Sequence, residues 1–254
     1  TPLYPNVYLP AGTAMTAPLR ARAAWLWSRR RGVVAGRSAA ALHGAKWVDG
    51  RSAAQILWQN RHPPTGLETW SDAYRDDEVA VADGVRFTTP ARTALDIARR
   101  YRFDDAVAAI DALARATRLN PADVATLANR HCGARGIRKA RRVLQLVDPG
   151  AESPRETWLR LLLIRAGFPR PTTQIPVNSE FGVLAAVLDM GWEHLKIGVD
   201  YDGDHHRTSR KTFNNDIRRA EIITRQGWIH LRFTVEDTEG GIVHRVRTAF
   251  ARRT

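Results

Sequence analysis

Asp189, Asp200 and Asp202, followed by the His205–His206 pair, bring acids and imidazoles close enough in the sequence to build a metal or acid–base site. They fall within VLAAVLDMGWEHLKIGVDYDGDHH, where Val183 to Met190 and Ile197 to Asp202 are β-branched-rich runs of strand length. The polar stretch between them, Gly191 to Lys196, is short enough for a tight connection, so the two runs form an antiparallel hairpin. Side chains alternate along a strand, which puts Asp200 and Asp202 on one face and Val199 and Tyr201 on the other. Asp189 joins the first pair across the hairpin. Three carboxylates on one face repel, and desolvation raises their pKa values unless a positive group sits among them. The simplest such group is a divalent metal. The competing reading is a solvated acidic edge with only its apolar face turned to a core; composition alone would favour it, and the run IGVDYDGDHH, ending in two histidines and carrying a glycine, favours the metal.

Those acids need a frame. Upstream, Glu152-Ser153-Pro154-Arg155-Glu156 opens a helix with Ser153 as cap, Pro154 in the first turn and Glu156 at the reciprocal capping-box position. Leu159, Leu162, Leu163 and Ala166 are its expected core stripe, and the spacing of Glu156 from Leu159 and Leu163 turns that carboxylate along the same stripe, toward the sheet. Thr172 to Val177 is a first strand. Downstream, Ser209 to Arg225 reads as a long helix with Phe213, Ile217, Ala220 and Ile223 inward and Arg210, Lys211, Arg218, Arg219 and Arg225 outward. Gly227 ends it, Trp228 to Val235 is a final strand, and Glu239 to Thr254 a terminal basic helix.

Asp148-Pro149-Gly150 breaks the pattern and sets the expected boundary between an N-terminal α+β domain, 1–150, and a C-terminal domain, 151–254. In the N-terminal part Asn6–Leu9 is a short strand. Ala17 to Arg30 reads as a helix with Leu19, Ala23, Trp25 and Leu26 inward, and Ser38 to His43 as a small-residue helix capped by Ser38. Short extended runs between Ala54 and Phe87 suggest a small sheet. Helices follow from Thr89-Pro90, over Asp104–Ala116, Pro121–Asn129 and Gly136–Val147. The last leaves Arg138, Lys139, Arg141 and Arg142 off its apolar stripe, a candidate phosphate-binding face or simply a solvated one. His43 has no ligand-type neighbour at metal spacing and reads as a packing residue.

Over 254 residues, 39 Lys and Arg stand against 26 Asp and Glu, a formal net charge of +13 that favours a polyanionic partner. Residues 1–150 hold 23 of the cations and 13 of the acids, so most of the positive field is N-terminal. Nucleic acid is the leading partner and an anionic membrane the runner-up. No apolar run approaches the length of a membrane span. The single cysteine, Cys132, rules out an internal disulfide and suits a reducing cytoplasm, the expected location.

The order helix, three strands, helix, strand, helix, with acids at these points, resembles the PD-(D/E)XK nuclease fold, and more closely its very-short-patch-repair (Vsr) endonuclease-like branch. The resemblance covers about Glu152 to Val235 and rests on ESPRETWLRLLL, LDM, VDYDGDHH and NNDIRRAEIITRQGW. It implies an α/β fold with a mixed sheet flanked by helices and a divalent-metal site that hydrolyses a DNA phosphodiester. By position Asp189 matches the family's invariant aspartate, Asp200 the second acid, Glu156 the helix acid, and His206, with His205 as alternative, the proton-transfer position. Asp202 stands where most of the superfamily has lysine, which the Vsr-like branch also lacks. In the N-terminal part GRSAAALHGAKW and VRFTTPARTALDIARR resemble the type IV abortive-infection antitoxin family of DNA-binding regulators, over Tyr4 to Arg100. A winged-helix segment of that family would precede Thr1.

The resemblance implies Mg²⁺, or Mn²⁺ in its place, held by Asp189 and Asp200 with Asp202 taking a second ion or its water. The set is oxygen-rich and the cysteine remote, so zinc is disfavoured. His206 would move a proton near neutral pH. Arg210, Lys211, Arg218 and Arg219 would clamp flanking phosphates. The leading expectation is a metal-dependent DNA endonuclease whose basic N-terminal domain assists binding. The alternatives are a non-enzymatic DNA-binding regulator or antitoxin built on an inactive nuclease fold, and an RNA-cleaving toxin.

Overall fold

The computed structural model describes residues 1–203 and 210–253, and over 210–217 the helical backbone alone. The chain divides into two compact units, Thr1–Pro149 and Gly150–Thr254.

In the first unit β1 (Pro2–Tyr4) and β2 (Val7–Tyr8) make a short antiparallel ribbon. In α1 (Ala17–Trp27) Thr16 caps the helix by accepting the Leu19 N–H, and Ala17, Ala21, Ala23 and Ala24 form the buried face. Leu26 is 43% exposed, which corrects its expected inward placement: a face of alanines lets α1 lie close to its neighbours, and the larger side chain turns out. After β3 (Val33–Val34), α2 (Gly36–Leu42) starts earlier than expected, with Ala35 and not Ser38 at the N-cap. Ser38 instead accepts the Gln55 N–H at 3.0 Å, a buried strand donor that needs a partner. The strands β4 (Ala54–Leu57), β5 (Leu67–Trp70), β6 (Val79–Ala82) and β7 (Val85–Thr88) complete a mixed sheet of order β5-β4-β3-β7-β6. His43 closes α2 by hydrogen bonding the Thr88 carbonyl at 2.8 Å and packing edge-on against Phe87.

The helices α3 (Pro90–Arg100), α4 (Phe103–Thr117), α5 (Pro121–Arg130) and α6 (Ile137–Leu144) follow. The TTPARTALD stretch is legible residue by residue in three dimensions. Thr89 caps α3, Pro90 occupies its first turn, and the Thr93 hydroxyl reaches back to the Thr88 carbonyl at 3.1 Å. Arg92 is fully buried, and its guanidinium donates to Glu78, to Asp96 at 2.9 Å and to the Ala73 carbonyl at 3.1 Å. Glu78, also fully buried, meets His131 at 2.9 Å and Arg130 at 3.2 Å. Burial alone would push the Glu78 carboxyl up, but His131 and Arg92 hold it below the usual carboxylate range. This network ties the β5–β6 connection to α3 and α5.

The second unit begins with α7 (Pro154–Arg165), then β8 (Thr172–Asn178), β9 (Leu184–Trp192), a 3₁₀ turn over Glu193–Leu195, β10 (Ile197–Tyr201), α8 (Arg210–Arg225), β11 (Ile229–Phe233) and α9 (Glu239–Ala251). The sheet order is β11-β10-β9-β8, with β10 and β11 parallel and the other pairs antiparallel. The fold is thus mixed α/β, with helices on both faces of this sheet. Met190, Trp192, Ile197, Val199 and Phe233 pack with Leu159 and Leu163 of α7 and with Ile242, Val246 and Ala249 of α9. Ile175, Val177, Ala186 and Leu188 pack with Ile223 of α8.

Leu188 and Met190, two apart in one strand, therefore serve different cores. The β8–β9 ladder passes from Thr173–Met190 to Ile175–Leu188 without a regular pair at 174 and 189, and Gln174 sits in the left-handed region at φ 55°. Strict alternation breaks there, and the residue at the break is Asp189. The hairpin also needs Gly191: a Cβ there would lie 2.2 Å from the Ile197 carbonyl oxygen.

Candidate functional site

Asp200 points to the α8 side of the sheet. Parallel pairing sets Gly198 opposite His230 and Asp200 opposite Arg232, so His230 shares the face of Asp200. On α8, Arg219 lies one turn before the buried Ile223 and so shares the helix's inner face. The result is a saturated carboxylate. One Asp200 oxygen accepts the Asp189 N–H at 2.9 Å, and the other accepts from Arg219 at 2.8 Å and meets His230 at 2.9 Å. Asp200 is 3% exposed. Burial would raise its pKa, yet His230, Arg219 and the Asp189 N–H together hold it below the usual carboxylate range.

Asp189 has the opposite fate. Its carboxylate accepts the Tyr201 N–H at 2.8 Å, so each aspartate bonds the backbone of the other's strand. Burial comes first, then the negative charges of Asp200 and Glu156, and together they push the Asp189 carboxyl up to about 7. Glu156 thus belongs electrostatically to the cluster. It also accepts the Glu152 N–H at 2.8 Å, one residue before the position expected for a capping box, while Ser153 accepts the Glu156 N–H at 3.2 Å. One turn on, Arg160 is fully buried in α7.

The remaining expected site residues scatter. Asp202 lies just past β10 and pairs with Arg232 at 2.7 Å. Arg219, expected on the outer face of α8 as a phosphate clamp, is turned inward to Asp200 and the Val187 carbonyl, because its turn of the helix faces the sheet. Arg218 is exposed. His205 and His206 lie outside the described residues, as do the side chains of Arg210 and Lys211. In α6 Arg138 is exposed, whereas the Lys139 ammonium donates to the Tyr101 carbonyl at 2.6 Å. Two functional candidates escaped the sequence reading, His230 and the inward role of Arg219. The four-residue spacing of Arg219 from Ile223 carried the second, but only the strand pairing identifies the first.

Among the described residues, no group of three His, Cys, Asp or Glu is placed to hold a metal ion. The reason is visible at Asp200, whose oxygens are directed at a guanidinium, an imidazole and a backbone N–H. As placed, these residues do not fit a divalent cation; the positive group among the acids is Arg219. Chemically, the arrangement favours the charged form of one carboxylate, Asp200, and raises the pKa of its neighbour Asp189 to about 7.

Residues 32–148 match the family model for the AbiEi antitoxin C-terminal domain, somewhat under half of the chain. The match includes GRSAAALHGAKW and TTPARTALD and continues through α4, α5 and α6. Two Mycobacterium tuberculosis proteins, from strains CDC 1551 / Oshkosh and ATCC 25618 / H37Rv and each described only as an uncharacterized protein, are 30% identical to the chain over 150 residues. That alignment takes in 59% of this chain and 55% of each relative, so the chain spans about half the length of the curated relatives it matches. No solved structure matches. No helix among the described residues is long and apolar enough to cross a membrane.

Proposed function

We propose that the protein is a DNA-binding regulator of the antitoxin kind, in which the second unit is a PD-(D/E)XK-like fold kept as a structural or binding module and not as a hydrolase. The observation that carries this reading is the neutralisation of Asp200 from within the protein by Arg219 and His230. A carboxylate committed to three donors has little basicity left for an ion, and a guanidinium among the acids satisfies the charge that a metal would otherwise balance. The likeness of residues 32–148 to an antitoxin domain and the concentration of positive charge in the first unit support the same conclusion. In this reading the exposed Arg138 and Arg218 contact phosphates.

One observation favours a second reading, a Mg²⁺- or Mn²⁺-dependent endonuclease. Burial, with the charges of Asp200 and Glu156 beside it, pushes the Asp189 carboxyl up to about 7. That reading requires Arg219 to leave Asp200 when DNA and metal arrive, so that Asp189, Asp200 and Asp202 become available, with His206 moving a proton.

Full-length protein incubated with plasmid, single-stranded DNA and RNA in EDTA, Mg²⁺ or Mn²⁺, beside Asp189→Ala and a fluorescence-anisotropy measurement on duplex DNA, separates these readings. The expected result is duplex binding that is unchanged by EDTA and no cleavage of any substrate. Metal-dependent DNA cleavage abolished by Asp189→Ala would establish the endonuclease instead, and cleavage confined to RNA would establish a toxin.

A further inference from the structure

The first unit carries a built groove that the reading above does not use. Up to residue 67 the chain holds nine Lys and Arg against one acid, Asp49, and three of the cations, Arg29, Arg30 and Arg31, follow one another just past the end of α1. An open cavity of about 880 Å³ lies along the end of β4 and the edge strand β5, and a second, of about 380 Å³, lies at the C-terminal end of α1. Both are lined by Trp58 and Asn60, so the two hollows adjoin at a half-buried indole. Arg61 lines the first part, and Arg29 and Arg31 the second; Glu68 is the carboxylate in the lining.

The backbone that carries part of the cationic wall is held in a defined turn. Arg29 and Arg30 both take left-handed backbone, at φ 55° and 63°, conformations that non-glycine residues avoid. The turn is held by the buried Ser28, which donates to the Trp25 carbonyl at 2.6 Å and accepts the Gly32 N–H at 2.9 Å. Successive unfavourable residues pinned this way are a mark of a site whose geometry matters. The Arg31 guanidinium stands 5.6 Å from the centroid of the Trp58 ring. A recessed aromatic surface flanked by arginines suits a base that is not already stacked in a duplex. Beside it the Asn60 side chain accepts the His62 N–H at 2.7 Å and the Thr69 hydroxyl donates to the Asn60 carbonyl, which hold the rim in place.

We propose that this groove binds single-stranded DNA, with an unpaired base stacked on Trp58 and the flanking phosphates on Arg29, Arg31 and Arg61. The inference rests on the nucleic-acid reading above and adds to it the strand state and the place. The test uses the full chain and labelled oligo(dT), a hairpin-free duplex, oligo(U) and polyglutamate, comparing wild type with Trp58→Leu, which removes the stacking ring but keeps apolar bulk, and with the Arg31→Gln/Arg61→Gln pair, whose exposed side chains put little of the fold at risk.

Each variant should weaken oligo(dT) binding about ten-fold, the scale of one lost base stack or two lost phosphate contacts, and change duplex binding by less than about two-fold. Equal losses on both DNA forms, no loss on oligo(dT), or tighter binding of oligo(U) or polyglutamate at the same residues would overturn the proposal. If wild type binds duplex but not oligo(dT), this inference fails alone; if it binds neither, the functional reading fails with it.

Discussion

At Asp189 two opposed demands meet in one side chain. It must stay close to Asp200 because each carboxylate satisfies the other strand's N–H, yet burial and the charges of Asp200 and Glu156 push its pKa up to about 7. The folded chain therefore holds a proton between about pH 4 and 7 that the unfolded chain has released, and its contribution to stability falls as pH rises through that window. Asp189→Asn keeps the shape and an acceptor for the Tyr201 N–H without the charge. Urea unfolding should find the variant equal to wild type at pH 4 and more stable at pH 8, by on the order of 1 kcal/mol or more. A difference that does not grow with pH would contradict the crowding of the three acids. Arg219 shows why residue type alone misassigned a role: an arginine in a basic helix looks solvated until the sheet beneath it supplies a carboxylate.

At the scale of elements, the break in β8 and β9 decides where the acids point. Gln174 takes left-handed backbone at φ 55°, a conformation that costs a non-glycine residue roughly 1 kcal/mol. Gln174→Gly should accordingly stabilise the protein by up to about 1 kcal/mol in equilibrium denaturation, and a loss of stability would mean that the Gln side chain itself holds the break. In α3 the fully buried Arg92 links that helix to Glu78 and pairs with Asp96 one turn on in the same helix. Replacing one partner of a buried ion network leaves the others uncompensated, so Arg92→Met should cost about 3–5 kcal/mol, read from thermal or urea unfolding. Adding Glu78→Gln to that variant should recover part of the loss. No recovery would show that packing, not charge, makes Arg92 necessary.

For the whole molecule, the uneven charge is the feature that any polyanionic partner meets first. The first unit carries most of the formal +13, and within it cations differ in whether they are free to act. Arg138 is exposed, while the Lys139 ammonium is tied to the Tyr101 carbonyl. If α6 faces duplex DNA, Arg138→Gln should lower the slope of log K against log salt by about one, the signature of one lost phosphate contact, and Lys139→Gln should leave it unchanged. Equal slopes for both variants and wild type would remove α6 from the interface.

The division near Pro149, the order of strands and helices in the second unit, the antitoxin likeness within the first, and the positions of the charged side chains are all legible from the residues in order. Those follow from short-range rules: strand alternation, caps, prolines and glycines at element ends, and counting. What the charges do depends instead on contacts between elements far apart in the chain. Arg219 and His230 reach Asp200 from a helix and a strand distant in sequence, and Arg92 finds Glu78 across 14 residues, because burial forces every polar group to a partner wherever the fold can provide one. Alternation, a local rule, could not foresee the break at Asp189, where the sheet must serve a different core on each side.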